Sequence, residues 1–123
     1  LGRRIQGFDG RPDLFEGKTH PRKAIGHKNI FFDTLVHDTD SLKLMFKRQG
    51  TNQVLMGLDD PYPLGEMEND KQSSYPGKIL DLAVKENIIT ETEKGQIWED
   101  NVLQWLFGDD EKAKQDLIDK ILK

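Results

Sequence analysis

The chain contains no cysteine, and this removes disulfide frameworks and thiolate metal or nucleophile sites together. It fits a reducing compartment, and a cytoplasmic location is the expectation. No apolar run approaches the roughly 20 residues that cross a bilayer. No apolar stretch follows Arg3 and Arg4 as it would in a secretory leader. Basic residues are not in excess: 18 Lys and Arg face 22 Asp and Glu, for a net charge of -4. They form no stripe, so nucleic acid is not expected as a partner. The three histidines, His20, His27 and His37, show no His-x-His or His-x3-His spacing, so a complete metal site inside the chain is not expected. Phosphate-cradling glycine fingerprints and a Gly-x-Ser-x-Gly elbow are missing too.

What the chain does carry is a set of short apolar runs divided by Gly and Pro. Residues 1–28 hold Gly2, Gly7, Gly10, Pro12, Gly17, Pro21 and Gly26. They read as an irregular segment with one helical turn at Pro21–Gly26, where Pro suits the first helical position and Gly the stop. Five basic residues (Arg3, Arg4, Arg11, Lys18 and Arg22) suit anion capture, although such a cluster is more often a solvated face.

Residues 29–57 spell strand, helix, strand. Asn29–Asp33 is aromatic and apolar between polar ends. Asp38, Thr39 or Asp40 can cap a helix through Leu42, Leu44, Met45 and Phe46, with Gly50 as its stop. Val54–Met56 is the second strand. Such a βαβ unit requires a parallel pair. Two parallel strands cannot cover both faces of a sheet, so further strands are expected from elsewhere and the chain reads as a piece of a larger α/β protein.

Beyond 57, residues 64–75 read as a polar loop. A helix is expected from Pro76 to about Lys85, stopped by Asn87. Thr90 and Glu93 form a capping box for a helix to about Trp98. Asp100 or Asn101 can cap a separate helix, Val102–Phe107, before Gly108. A tail helix carries Ala113, Leu117, Ile118, Ile121 and Leu122 on one stripe. Trp98 and Trp105 read as packing residues.

The candidate chemistry lies at the strand exits. Asp59 follows Val54–Met56 and precedes Pro61 and Pro63. An acid at the C-terminal end of a parallel strand is where barrel enzymes hold catalytic groups, and aspartate also opens turns. Position alone leaves these readings even. Asp33 ends the other strand and can face the same rim, with capping or loop bonding as its simpler role. His37 reads first as a loop-fixing residue.

Several stretches resemble one family in register. They are Gly2-Arg3, Gly7-Phe8, Arg11-Pro12-Asp13-Leu14, Leu35-Val36-His37-Asp38, Ser41-Leu42-Lys43-Leu44, Gly57-x-Asp59-x-Pro61-x-Pro63-Leu64-Gly65-Glu66, and Asn101-Val102-Leu103 with Leu106-Phe107-Gly108. Over about residues 1–108 they resemble the 2-amino-3-carboxymuconate-6-semialdehyde decarboxylases of the amidohydrolase superfamily. The resemblance implies an α/β fold: the C-terminal portion, the last two βα units plus C-terminal helices, of a metal-dependent (β/α)8 TIM barrel. Residues 1–28 would be the loop segment after strand 6, residues 29–57 would hold strands 7 and 8, and residues 58–123 the closing loop and helices. It implies Asp59 as a zinc ligand and catalytic residue. Arg3 would be the arginine that reaches into a partner subunit to hold a substrate carboxylate. The remaining ligands and the catalytic histidine would lie upstream.

The implied chemistry is loss of carbon dioxide from an unsaturated carboxylate in tryptophan catabolism through kynurenine, with zinc polarising a water. The implied partners are a small carboxylate substrate and a second subunit in a homodimer, with no membrane. A related hydrolase or decarboxylase of the superfamily is the alternative, and a non-catalytic interaction module the second. Asp60, Leu58 and residues 67–75 depart from the family pattern.

Overall fold

The computed structural model describes residues 2–59 and 75–122. They form two compact units, Leu1–Ile30 and Phe31–Lys123. The expected polar loop at 64–75, apart from Tyr75, and the departures at Asp60 and 67–74 lie outside the described residues.

The first unit is helical where an irregular segment was expected. Helix α1 spans Gly2–Gly10, a single 3-10 turn spans Pro12–Phe15, and α2 spans Pro21–Ile25. Glycine makes α1 a poor helix on propensity. Packing overrides this: Ile5 is buried, and Phe8 on the next turn stacks on Phe15 with ring centroids 4.6 Å apart. The ring of His20 meets the same Phe8 edge-on at 4.9 Å. The turn expected at Pro21–Gly26 is present as α2. His20 caps it, its Nδ1 accepting the Arg22 N–H at 3.2 Å.

The second unit contains the expected βαβ. Strands β1 (Phe32–Asp33) and β2 (Val54–Leu55) pair in parallel, Phe32 opposite Val54 and Asp33 opposite Leu55. Helix α3 (Thr39–Gln49) joins them. Of its three candidate caps, Asp38 is used: Oδ1 accepts the Ser41 N–H at 2.7 Å. Gly50 ends the helix at φ +74°, a value that favours glycine. β1 is shorter than expected because Asn29 and Ile30 are held in a turn, Ile30 N–H donating to His27 O at 2.9 Å.

Helix α4 (Lys78–Lys85) starts two residues after Pro76 and ends at Asn87, which takes φ +57°. Asn87 N–H donates to Val84 O and Ile88 N–H to Ala83 O, the pair of bonds that closes a helix C-terminus. The Thr90–Glu93 capping box is present. From there, one continuous helical stretch replaces the two helices expected. It consists of α5 (Glu91–Gly95), a π-helical turn over Gln96–Asp100, and α6 (Asn101–Phe107). Neither Asp100 nor Asn101 caps anything: Asp100 has helical dihedrals, and the Asn101 backbone N–H donates to Gln96 O, five residues back. Gly108, at φ +57°, ends the stretch. Helix α7 (Glu111–Ile121) follows, capped by Asp110. Ala113, Leu117 and Ile118 of its expected stripe are half-buried, whereas Ile121 and Leu122 are exposed.

One hydrophobic cluster holds the second unit together: Leu42 of α3, Val54 of β2, Ile79, Leu80 and Ala83 of α4, Ile89, and Ile97 of the π turn. Leu42, Leu80 and Ile97 are fully buried. At about 1.5–3 kcal/mol for each large side chain, these three fasten the helices to the strand pair.

Candidate active site

The strand exits are built residue by residue. Phe32 N–H donates to Gln53 O at 2.8 Å and Thr34 N–H to Leu55 O at 2.9 Å. Backbone groups alternate sides along a strand, so Gln53 and Leu55 face β1 while Val54 and Met56 face away. That far edge is taken by the π turn and α6. Met56 N–H donates to Ile97 O at 3.3 Å, and Asn101 Nδ2 donates to Val54 O at 2.7 Å and Thr51 O at 2.8 Å. An edge expected to await another strand is thus covered by the chain's own helix.

Just beyond the strands, Thr34 is buried and its hydroxyl crosses to the second exit. Oγ1 accepts the Gly57 N–H at 3.2 Å and donates toward Met56 Sδ at 3.3 Å. Asp33 lies against Gly57 so closely that a Cβ there would fall 2.7 Å from Asp33 Cβ. The two exits therefore share one rim, as expected. The Asp33 carboxylate serves its own loop, Oδ1 accepting the Leu35 N–H at 3.0 Å. Asp59, two residues past Gly57, is exposed and has φ +55°.

Among the described residues, no group of three or more His, Asp or Glu is placed to hold a metal ion. Among the described residues the rim offers Asp59, with Asp33 Oδ1 accepting from its own loop, and these donors do not complete a metal centre. His37 is exposed at the start of α3 and lies near the Asp38 cap, whose carboxyl is held below its usual range chiefly by the Ser41 N–H. In the first unit both nitrogens of His20 are engaged: Nδ1 as the helix cap, and Nε2 with Asp9 Oδ1 at 3.0 Å. A histidine with both nitrogens bonded is a structural clasp and not a free base. His27 Nδ1 similarly accepts the Asn29 N–H at 3.3 Å.

Arg3 lies on α1 in the first unit and is exposed. Arg11 is committed locally. Its Nε and Nη2 grip Asp13 at 2.9 and 2.7 Å, which holds the Asp13 carboxyl below its usual range. A cleft of about 450 Å³ between α6 and α7 is lined by Gln96, Asn101, Gln104, Lys114 and Ile118. Its cation is spent, since Lys114 Nζ bonds Glu111 Oε1 at 2.6 Å and Gln104 Oε1 at 3.1 Å.

Thr34 was not singled out by the sequence, and Asn101 was read as a helix cap and a family match, not as a clasp on β2. A signal existed for Asn101: it falls four residues after Ile97, so a polar side chain shares the face of a core residue.

No protein-family model matches the chain. Two curated relatives do, both called 2-amino-3-carboxymuconate-6-semialdehyde decarboxylase. The one from Dictyostelium discoideum is 35% identical over 114 residues, covering 91% of this chain and 28% of the relative. The one from Caenorhabditis elegans is 41% identical over 69 residues, covering 54% of this chain and 17% of the relative. The chain thus spans less than a third of the length of either. It is a sequence relative of the 2-amino-3-carboxymuconate-6-semialdehyde decarboxylases, matched along nearly its whole length to a segment of them.

Proposed function

We propose that this chain is the C-terminal part of a (β/α)8 barrel decarboxylase that releases carbon dioxide from 2-amino-3-carboxymuconate 6-semialdehyde or a close analogue, in tryptophan catabolism and without a redox cofactor. The observation that carries the proposal is the match at 35% identity over 91% of the chain, joined to an exposed carboxylate at the exit of a parallel strand pair. In this reading Asp59 contributes one ligand to a zinc site completed by strands outside the chain, and Arg3 holds a substrate carboxylate. A guanidinium suits that task because its fork matches both carboxylate oxygens. Homodimerisation and a cytoplasmic location belong to the same proposal.

The test is turnover by the protein containing these residues and the upstream barrel strands, with zinc supplied, followed by loss of the semialdehyde's ultraviolet absorbance and by carbon dioxide release. Hydrolytic product without carbon dioxide would select a related hydrolase. Absence of turnover in metal-loaded, folded protein would exclude the substrate.

One observation favours a second reading, that of a non-catalytic module stable by itself. Closing a barrel places another strand along the far edge of β2, where Met56 N–H and Val54 O are already bonded to Ile97 and Asn101. Cooperative thermal unfolding of residues 1–123 as a monomer would support the module. Aggregation, or recovery only with the upstream segment, would support the barrel.

A further inference from the structure

The proposed function assigns a role to Asp59 but says nothing of what aims it. We infer that Asn101 and Thr34 are positioning residues that fix the direction in which β2 delivers Asp59. The inference rests on the proposed function for the use of Asp59, and on geometry alone for the aiming.

Asp59 itself is exposed, and past Gly57 the strand has left its partner. Its placement therefore depends on how firmly residues 54–57 are held. They are held from two sides in alternation. On the far side, Asn101 grips Val54 O, and Ile97 O takes the Met56 N–H. On the near side, β1 binds Leu55 through Thr34 N–H, and Thr34 Oγ1 takes the Gly57 N–H.

Both side chains are among the buried polar residues of the described chain, Thr34 at 1% and Asn101 at 7% exposure. A buried amide or hydroxyl is kept only where its bonds are satisfied, and these bonds end on successive backbone groups leading to the site. Asn101 also bonds Thr51 O at 2.8 Å, so it fixes the entrance of β2 as well as its middle. Among the described residues, the last hydrogen bond before Asp59 is that of Thr34.

The test uses Thr34→Val, which keeps shape and removes the hydroxyl, and Asn101→Ala. Ile89→Val serves as the control: it trims the same core without touching the strand exit. Two readouts are needed. In the chain, amide exchange and resonance positions of Met56, Gly57 and Asp59 are expected to change in both variants and to stay in place in the control. Thr34→Val should speed Gly57 exchange about ten-fold, the loss of one net hydrogen bond.

In the complete enzyme, where a neighbouring strand would take the far edge of β2, Thr34→Val is the variant read: its kcat should fall about ten-fold or more with KM nearly unchanged, the signature of a misplaced group and not of weakened binding. Exit amides that move no more than in Ile89→Val would overturn the inference. So would unchanged kcat in Thr34→Val when Asp59→Asn has abolished turnover. If Asp59→Asn itself leaves turnover intact, the proposed function falls, and the amide readout alone decides whether these residues set the exit. Should Asn101→Ala fail to fold, Thr34→Val still decides.

Discussion

Asn101 Nδ2 lies 2.7 Å from the carbonyl oxygen of Val54, joining two residues 47 positions apart in sequence. The same amide nitrogen holds Thr51 O, so one side chain satisfies two backbone acceptors at the start of β2. Asn101→Ala leaves both carbonyls short of a partner beside the core. It should cost about 2–4 kcal/mol, since each buried orphan costs about 1–3 kcal/mol. Urea unfolding checks this. A loss under about 0.5 kcal/mol would mean that water replaces the amide freely.

Asp59 presents a separable pair of effects. A non-glycine residue at positive φ is uncommon, and aspartate tolerates it at some cost. Asp59→Gly should therefore stabilise the chain by about 0.5–1 kcal/mol, while the proposed activity is lost. Asp59→Asn should leave stability near that of the parent and also lose activity. Denaturant midpoints set beside turnover test both, and destabilisation by glycine would contradict the conformational argument.

Gly57 is the point of closest approach between the two exits. A Cβ there meets Asp33 Cβ at 2.7 Å, a contact that must force movement of a strand end. Gly57→Ala should cost about 1–3 kcal/mol by overpacking. It should also displace the Asp33 and Leu35 resonances, because Asp33 Oδ1 holds the Leu35 N–H. Pairing it with Asp33→Gly, which removes the opposing Cβ, should recover part of the loss.

The link between α4 and α5 should respond to pH on two limbs. Asp81 bonds Lys94, and Tyr75 Oη donates to it at 2.7 Å. Lys94 first, then Tyr75, hold the Asp81 carboxyl below its usual range, and Asp81 holds the Lys94 ammonium above its own. A depressed acid contributes stability above its unfolded value, near pH 4, and loses it as pH falls through the folded value. A raised lysine contributes below its unfolded value, near pH 10, and loses it as pH rises past the folded value. The contribution of the pair is thus a plateau at neutral pH, modest because both groups are partly exposed. Asp81→Asn should flatten both limbs in a series of melting temperatures across pH.

The elements legible in the sequence were those announced by local chemistry. Asp38, Gly50, Asn87, the Thr90–Glu93 box and Gly108 all mark the ends that the structure shows, because caps and stops act within a few residues. The βαβ order and the parallel pair were legible for the same reason. Helix α1 was not, since glycines hide it and the burial of Ile5 and the stacking of Phe8 on Phe15 sustain it. The join of α5 to α6 was missed because Asp100 and Asn101 look like caps. What Asn101 does is set by β2, half the chain away. At the site, Asp59 and Asp33 could be placed at strand ends from pattern alone. The crossing bonds of Thr34 and Asn101 could not, because they depend on the register of β1 against β2 and of the π turn against both.

The π turn makes the chain's numbering matter in a way its composition does not. An α-helix advances about 100° per residue. Five-residue spacing at Gln96–Asp100 therefore admits one residue that a regular helix would not seat. Deleting one residue between Ile97 and Asn101 would leave every buried leucine and isoleucine in the chain, yet swing Asn101 about a quarter-turn or more off Val54. Tolerance to insertions and deletions should thus collapse here, inside a helix, while amino-acid replacements at exposed Glu99 pass unnoticed.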